Sequence, residues 1–386
     1  MPVKIARVHA TPLNVPLDYA AGGVRRSTSL SACHVEVETD DGLVGHGLTA
    51  ITEEEVAAHI INAVAGPALV GLDPMNHEAA WNKLYWLLCP RGQTGYGMHA
   101  VAALDVALWD IKGKALGLPV WKLLGGARSR VPVYTTFGFN FLDRDALAEA
   151  ARACVADGFS HLKMVVGHGA LQRRDEPRPL DEVIREDARR VAAVREAVGA
   201  GPSIYIDANC SLDGFHAEKL ALSVRDCGIA FFEEPVTQND VRLMADLRRR
   251  TGIAVAAGQN EGLAYRFRDM LAAGAVDYAQ PNVVISGGYT QAAKIAGMAE
   301  AYNVPVANGG AFPLHNMHLH AGLAHGGRVE WHLVAVDMMK KLYRDIPEPR
   351  DGWLELPHGP GLGFEPDHEA IAEIAKLPGS AGKGKG

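Results

Sequence analysis

The 386-residue sequence predicts an α/β protein: a TIM-type (β/α) barrel with an N-terminal α+β capping domain that C-terminal residues complete. Three observations carry this. From residue 131 onward, short apolar segments alternate with amphipathic helical stretches, which is the pattern of β/α units. Those segments (VPVYTTFG, HLKMVVG, SIYIDAN, FFEEP, IAVAAGQ, DYAQPN, VPVANGG and RVEWHL) number eight, and they are too apolar for a sheet with one wet face. Residues 1–127 follow a different rule, with long alternating runs before helices.

The elements follow in order. ARVHATPLNVPL and CHVEVETDDGLVGHG alternate apolar and polar residues, and Asp40-Asp41-Gly42 is a turn signal, so antiparallel strands are expected. Between them AAGGVRRSTS reads as a glycine- and serine-rich mobile tip. EEEVAAHIINAVAGPAL and HAVAALDVALWDIKGKAL repeat apolar residues at three and four, the helical period. The barrel is assigned to residues 128–350, residues 351–378 return to the cap, and 379–386 (GSAGKGKG) form a disordered tail. An open doubly wound sheet is the competing fold, but no GxGxxG follows a first strand.

Composition narrows the function. A net charge of -7, with 38 Lys and Arg against 45 Asp and Glu, argues against a nucleic-acid partner. Neither a signal peptide nor a membrane-length apolar run is visible, so a cytoplasmic protein acting on a small molecule is expected. The five cysteines are scattered without a CxxC pair and read as free thiols.

In a barrel of this kind chemistry gathers at the C-terminal ends of the strands. Three consecutive strands end in Asp207, Glu233 and Gln259, 26 residues apart each time, which implies one depth. Two buried carboxylates side by side repel and are desolvated unless a cation lies between them. Oxygen donors without His or Cys suit one magnesium ion with open positions for a substrate.

With these residues the sequence resembles the enolase superfamily, in its mandelate racemase and muconate-lactonizing branch. The resemblance spans nearly the whole chain and rests on VETDDGLVGHG, on the DxALWDxxGKxxGxP run in AALDVALWDIKGKALGLPVWKLLGG, and on IDAN, FFEEP, QPN…SGGYTQAAKIA and VEWHL. It implies a magnesium ion held by acids at three strand ends, a small carboxylate substrate losing the proton next to its carboxylate, and a homo-oligomer. Asp207 and Glu233 match the ligand positions; the third departs, because Gln259 follows the glycine where the family has Glu. Glu261, two residues on, points the same way if the strand continues, so either Gln259 or Glu261 is the third ligand. The proton-transfer set departs further. Lys163 matches the first residue of the family's Lys-x-Lys, Val165 stands at the second, and Asn282 and Asn308-Gly309-Gly310 replace an Asp and a His. A two-base racemase is therefore not expected.

The remaining candidates are weighed singly. Lys163 is a base or an electrostatic clamp for a carboxylate; Glu330 matches a family glutamate near the last strand; His161 lies deeper and reads as a core histidine. Asn209, Asn282 and Asn308 are candidate donors to substrate oxygens, though such residues also satisfy local turns. His315 is the candidate replacement acid, while the spacing of His315, His318 and His320 does not suit a metal site. From the cap, Arg25, Arg26 and His46 are candidates to face the substrate, and GHGALQRRDEPRPLD is a second long, arginine-rich loop over the mouth. The expected activity is dehydration of a sugar acid or related hydroxy acid; alternatives are a racemase, epimerase or cycloisomerase, and a depleted binding protein.

Overall fold

The structure, a computed structural model, describes residues 3–168, 170–172 and 179–379. Residues 169 and 173–178 of the loop after the second barrel strand, and 380–386 of the GSAGKGKG tail, thus lie outside the described residues. Three antiparallel strands open the chain: β1 (Ile5–Ala21), β2 (Val24–Thr39) and β3 (Val44–Ala50). β1 and β2 stay paired as far as Ala21 opposite Val24, joined by Gly22 and Gly23 with φ of 54° and 75°. Positive φ at both central residues makes a turn whose twist matches the flanking strands. The segment read as a mobile tip is therefore an ordered hairpin. A Cβ on Gly22 would lie 2.1 Å from the Ala146 carbonyl oxygen, whereas one on Gly23 would meet nothing within 4 Å. Gly22→Ala is expected to lift the hairpin from the barrel and cost about 1–3 kcal/mol, while Gly23→Asn stays within about 0.5 kcal/mol; urea unfolding of both variants checks this.

The helix Tyr96–Leu116 is buried over most of its length between cap and barrel. Its two acids act as fasteners. Asp105 accepts from the Thr290 hydroxyl (2.5 Å) and amide (3.0 Å), and Asp110 accepts from the amides of Leu362 (2.8 Å) and His46 (3.0 Å) and pairs with Lys114 (2.9 Å). The DxALWD run thus ties the cap to the barrel and to the returning C-terminal segment.

The parallel strands β4 (Arg130–Gly138), β5 (His161–Val165), β6 (Ser203–Asp207), β7 (Ile229–Glu233), β8 (Val255–Ala257), β9 (Tyr278–Ala279) and β10 (Val329–His332) lie in the order β10-β4-β5-β6-β7-β8-β9. The seventh apolar segment links the two ends of this row: Val306 bridges to Ala279, and the Asn308 amide donates to the Arg328 carbonyl (2.9 Å). Alternation along each strand then makes layers. Tyr134, Tyr205 and Phe231 form an aromatic floor, with Tyr205 and Phe231 stacked at 3.9 Å. Two residues nearer the C-terminal ends, the same strands present Thr136, Asp207 and Glu233.

Among the described residues no helix is long and apolar enough to cross a membrane. All five cysteines are free.

Candidate active site

Asp207 sits opposite Glu233 in the β6–β7 register, as equal spacing predicts, and both are buried. Lys163 starts one level lower, opposite Tyr205, and its stem carries the ammonium up between them. Lys163 Nζ lies 2.6 Å from Glu233 Oε1, 3.0 Å from Glu330 Oε1 and 3.1 Å from Asp207 Oδ2. Glu330 also accepts from the Thr136 hydroxyl at Oε1 (2.5 Å) and from the Ala311 amide at Oε2 (2.7 Å). Gln280 donates to Glu233 Oε2 (2.9 Å).

Three carboxylates around one ammonium leave two negative charges in excess, out of water. Burial alone would strip the Lys163 proton, but Glu233, Glu330 and Asp207 hold its pKa well above the usual lysine value. Burial, reinforced by repulsion from Asp207 and Glu330, pushes Glu233 well up despite Lys163. Burial also raises Glu330, yet Lys163, His332 and the bonds from Thr136 and Ala311 carry it below its ordinary value. The layer therefore favours protonation of Glu233 more than an ordinary carboxylate site does, and a divalent ion would balance the excess without a proton.

The third oxygen donor turns on the end of β8. The strand stops at Ala257; Gly258, with φ of 129°, starts a turn closed by the Glu261 amide on the Gly258 carbonyl (3.0 Å). The premise that the strand continues to Glu261 is thus corrected. Glu261 pairs with Arg266 (2.9 Å) and accepts from Asn239 (3.2 Å), with no contact to Asp207 or Glu233. Gln259 donates through Nε2 to Glu234 Oε2 (2.7 Å), and Asn239 and Asn260 also donate to that carboxylate (2.9 and 2.8 Å). This explains a neutral residue at 259: a glutamate there would face Glu234, whereas the amide satisfies it and keeps its own oxygen for another partner. Among the described residues no three His, Cys, Asp or Glu side chains stand as a ready metal site. Asp207 and Glu233, opposite each other in the register and carrying this charge excess, are hard oxygen donors that fit one magnesium ion, and the Gln259 side-chain oxygen, not engaged by Glu234, is chemically suited to join them.

Several candidates lie elsewhere. His315 is fully buried against Tyr343 (5.8 Å) and Phe364 (5.3 Å), facing the cap seam and not the Lys163 layer, so it is not the replacement acid. His46 joins the same seam, bonded to the Phe364 carbonyl (2.9 Å), and does not point at a substrate. The Asn282 amide is spent on the Gly309 and Gly310 carbonyls (2.8 and 2.9 Å), and its oxygen on Asn316 (3.0 Å) and the Val284 amide (3.1 Å). Asn308 spends its oxygen on the Glu330 amide (3.0 Å) and its Nδ2 on the Gly309 carbonyl (2.9 Å). Both asparagines are scaffold rather than substrate donors. Asn209 stands exposed at the mouth, and its amide donates to Asp207 (2.8 Å). Arg26 lies over the Phe141 ring (5.0 Å), and Arg25 is exposed beside it. His161 packs against Tyr205 in the floor. Of the three residues after the seventh strand, Gly309 packs closely on Gln280: a Cβ there would lie 2.8 Å from the Gln280 side-chain amide.

Sequence reasoning passed over Thr136, Glu234, Gln280 and His332. Their signal was periodicity: Thr136 lies two residues from floor residue Tyr134, and His332 two from Glu330.

Comparison with known proteins gives the same picture. Residues 3–125 match the mandelate racemase / muconate lactonizing enzyme N-terminal domain, and residues 145–370 the enolase C-terminal domain-like family. Arabinonate dehydratase of Saccharolobus solfataricus is 30% identical, covering 85% of this chain and 86% of that protein. D-galactarolactone cycloisomerase of Agrobacterium fabrum is 32% identical over 88% of this chain and 90% of its own length. A racemase from Streptomyces coelicolor A3(2), solved with bound magnesium, superposes with a TM-score of 0.85 at 28% identity, covering 96% of this chain and 99% of that one. With both halves of the chain matched, it belongs to the mandelate racemase and muconate-lactonizing branch of the enolase superfamily.

Proposed function

We propose that this enzyme dehydrates a sugar acid, removing the proton next to the carboxylate and the hydroxyl on the neighbouring carbon to give a 2-keto-3-deoxy acid and water. The observation that carries the reading is the buried layer of Asp207, Glu233 and Glu330 around Lys163, two negative charges in excess. Asp207, Glu233 and the Gln259 carbonyl would hold one magnesium ion. When bound, that ion supplies positive charge against the carboxylate of the substrate, which makes the neighbouring proton more acidic.

Among the candidates once weighed for proton transfer, Val165, Asn282 and Asn308 cannot exchange a proton at neutral pH, and His315 faces away. Lys163 is then the group that takes the proton and returns it to the departing hydroxyl on the same face. One residue acting first as base and then as acid suits an elimination, whereas racemisation needs groups on both faces. With Asp207 and Glu233 engaged elsewhere, Lys163 keeps Glu330 as its counter-charge and releases its proton more readily. Glu330, held by Thr136 and Ala311, orients the ammonium. The relatives named for arabinonate and D-galactonate dehydration support the substrate class.

The test is incubation with D-arabinonate, D-galactonate, L-rhamnonate and related acids, with magnesium or with chelator, assayed for 2-keto-3-deoxy acid and for exchange of the C2 proton in deuterium oxide. Keto acid that disappears in chelator and returns with magnesium is expected. Isomerised product without keto acid moves the enzyme to the cycloisomerases; neither product nor exchange from any acid removes the reading.

A further inference from the structure

We propose that His332 is a specificity-determining residue of this site: a neutral imidazole that donates a hydrogen bond from Nε2 to a substrate oxygen and does not transfer a proton. The inference rests on the dehydration reading for the identity of its ligand, but its geometry is independent of it. His332 ends β10, two residues after Glu330, so the two side chains share one face of the strand. Its partner in the register is Thr136, whose hydroxyl donates to Glu330, so the imidazole starts at the Thr136 rung, two residues nearer the mouth along the strand than Glu330. The ring is partly exposed and lies against Phe139 at 5.2 Å, which leaves it little rotational freedom.

The tautomer follows from the helix that begins at Leu333. His332 is its N-cap, and Nδ1 accepts the Ala335 amide proton at 3.3 Å. An accepting Nδ1 carries a lone pair, so the single proton of the neutral ring sits on Nε2. Two roles are thereby closed. Nε2 already bears a proton and cannot serve as base; giving that proton away would leave an imidazolate, out of reach at neutral pH. Becoming an imidazolium would set two N–H groups against each other at the cap. What remains is a fixed donor at the height where a bound acid carries hydroxyl or carboxylate oxygens, and a site built to pair an oxygen discriminates against substrates lacking it.

Two measurements test this. In protein labelled with 15N-histidine, with the His332 signals assigned by their loss in His332→Asn, the expected spectrum is the Nε2–H tautomer throughout pH 5.5–8 in magnesium buffer. Addition of D-galactonate or D-arabinonate, whichever is turned over, is expected to shift Nε2. An Nδ1–H tautomer, or an imidazolium near pH 7, overturns the proposal, and this arm decides even if no acid proves to be a substrate. In kinetics, His332→Asn keeps an acceptor for the Ala335 amide but cannot reach the substrate; KM is expected to rise roughly tenfold with kcat changed far less. His332→Gln, longer and bearing an amide donor, is expected to recover part of the loss. Unchanged KM in His332→Asn overturns the role, whereas absence of turnover in the parent enzyme overturns the dehydration reading instead.

Discussion

Replacing Lys163 with methionine is expected to lower turnover by at least about a thousandfold and, separately, to make the fold depend on divalent cations. The first effect follows if the lysine handles the proton. The second follows from charge alone: methionine fills similar volume but leaves Asp207, Glu233 and Glu330 buried without the ammonium that lies within 3.1 Å of each. Removing one partner from a buried ionic cluster costs about 3–5 kcal/mol, because the remaining charges cannot return to water. That penalty should appear in chelator at pH 7.5 and shrink when magnesium is added, since an ion held by Asp207 and Glu233 restores positive charge. It should also shrink as pH falls, since protonation of Glu233 removes one of the stranded charges. Urea unfolding of parent and variant, with magnesium and with chelator, reads both trends. A variant as stable as its parent in chelator would mean that the layer is hydrated and its charges only weakly coupled.

The same layer shows what could be read before any coordinates. Asp207 and Glu233 were legible because equal spacing between strand ends fixes equal depth, and the register places them opposite each other. Lys163 was legible because period two puts it on their side of the barrel. Glu261 was not, because a single glycine with φ of 129° turns the chain between Ala257 and Gln259, and strand alternation says nothing beyond a turn. His315 misled for another reason. A helix after a barrel strand has one face over the mouth and another against the cap, and the sequence of PLHNMHLH does not reveal which face carries which histidine; in the structure every residue of Pro313–Gly322 is buried. Asn282 and Asn308 looked like donors awaiting a substrate because five of their six partners named above are backbone groups, most of them distant in the chain, which composition cannot display. The barrel itself was legible because apolar runs with polar ends repeat eight times, although the seventh is held to β9 by a single bridge at Val306.

The buried histidines lead to the second large effect, a loss of stability in mild acid. Burial lowers His99 to about 4, and His318 and His320 each to about 3. It also lowers His46 and His315 well below the usual value near 6.5, helped at His46 by Lys114 and at His315 by the neighbouring histidines. In the unfolded chain all five titrate normally. The folded state binds fewer of these protons, so the stability they confer is complete above pH 6.5 and lost as pH falls below it, about 1.4 kcal/mol per group per pH unit. Buried acids oppose this. Asp105, raised to about 7 by burial, and Glu233 take up protons in the folded state as pH falls, and Asp110 and Glu234 do so to a smaller extent. His161, lowered by burial to about 4, and His77 and His332, also lowered by burial, add to the histidine side, so the lowered histidines outnumber the raised acids and the net effect is a loss of stability as pH falls below 6.5. Against a total of about 5–15 kcal/mol, a loss of this kind is expected to lower the urea midpoint measurably between pH 7.5 and 5.5. His320 isolates one contribution, since its Nδ1 accepts the Gly327 amide (3.0 Å) while Nε2 is buried without a partner. His320→Asn keeps an acceptor for that amide and has no proton to gain. Urea unfolding at pH 7.5 and 5.5 is expected to show the stability difference across that interval smaller than in the parent by about 1.4 kcal/mol, whatever the variant loses at pH 7.5 through the space it leaves. An unchanged difference would mean that His320 titrates alike in the folded and unfolded chain, and the seam of buried imidazoles would then have no part in acid sensitivity.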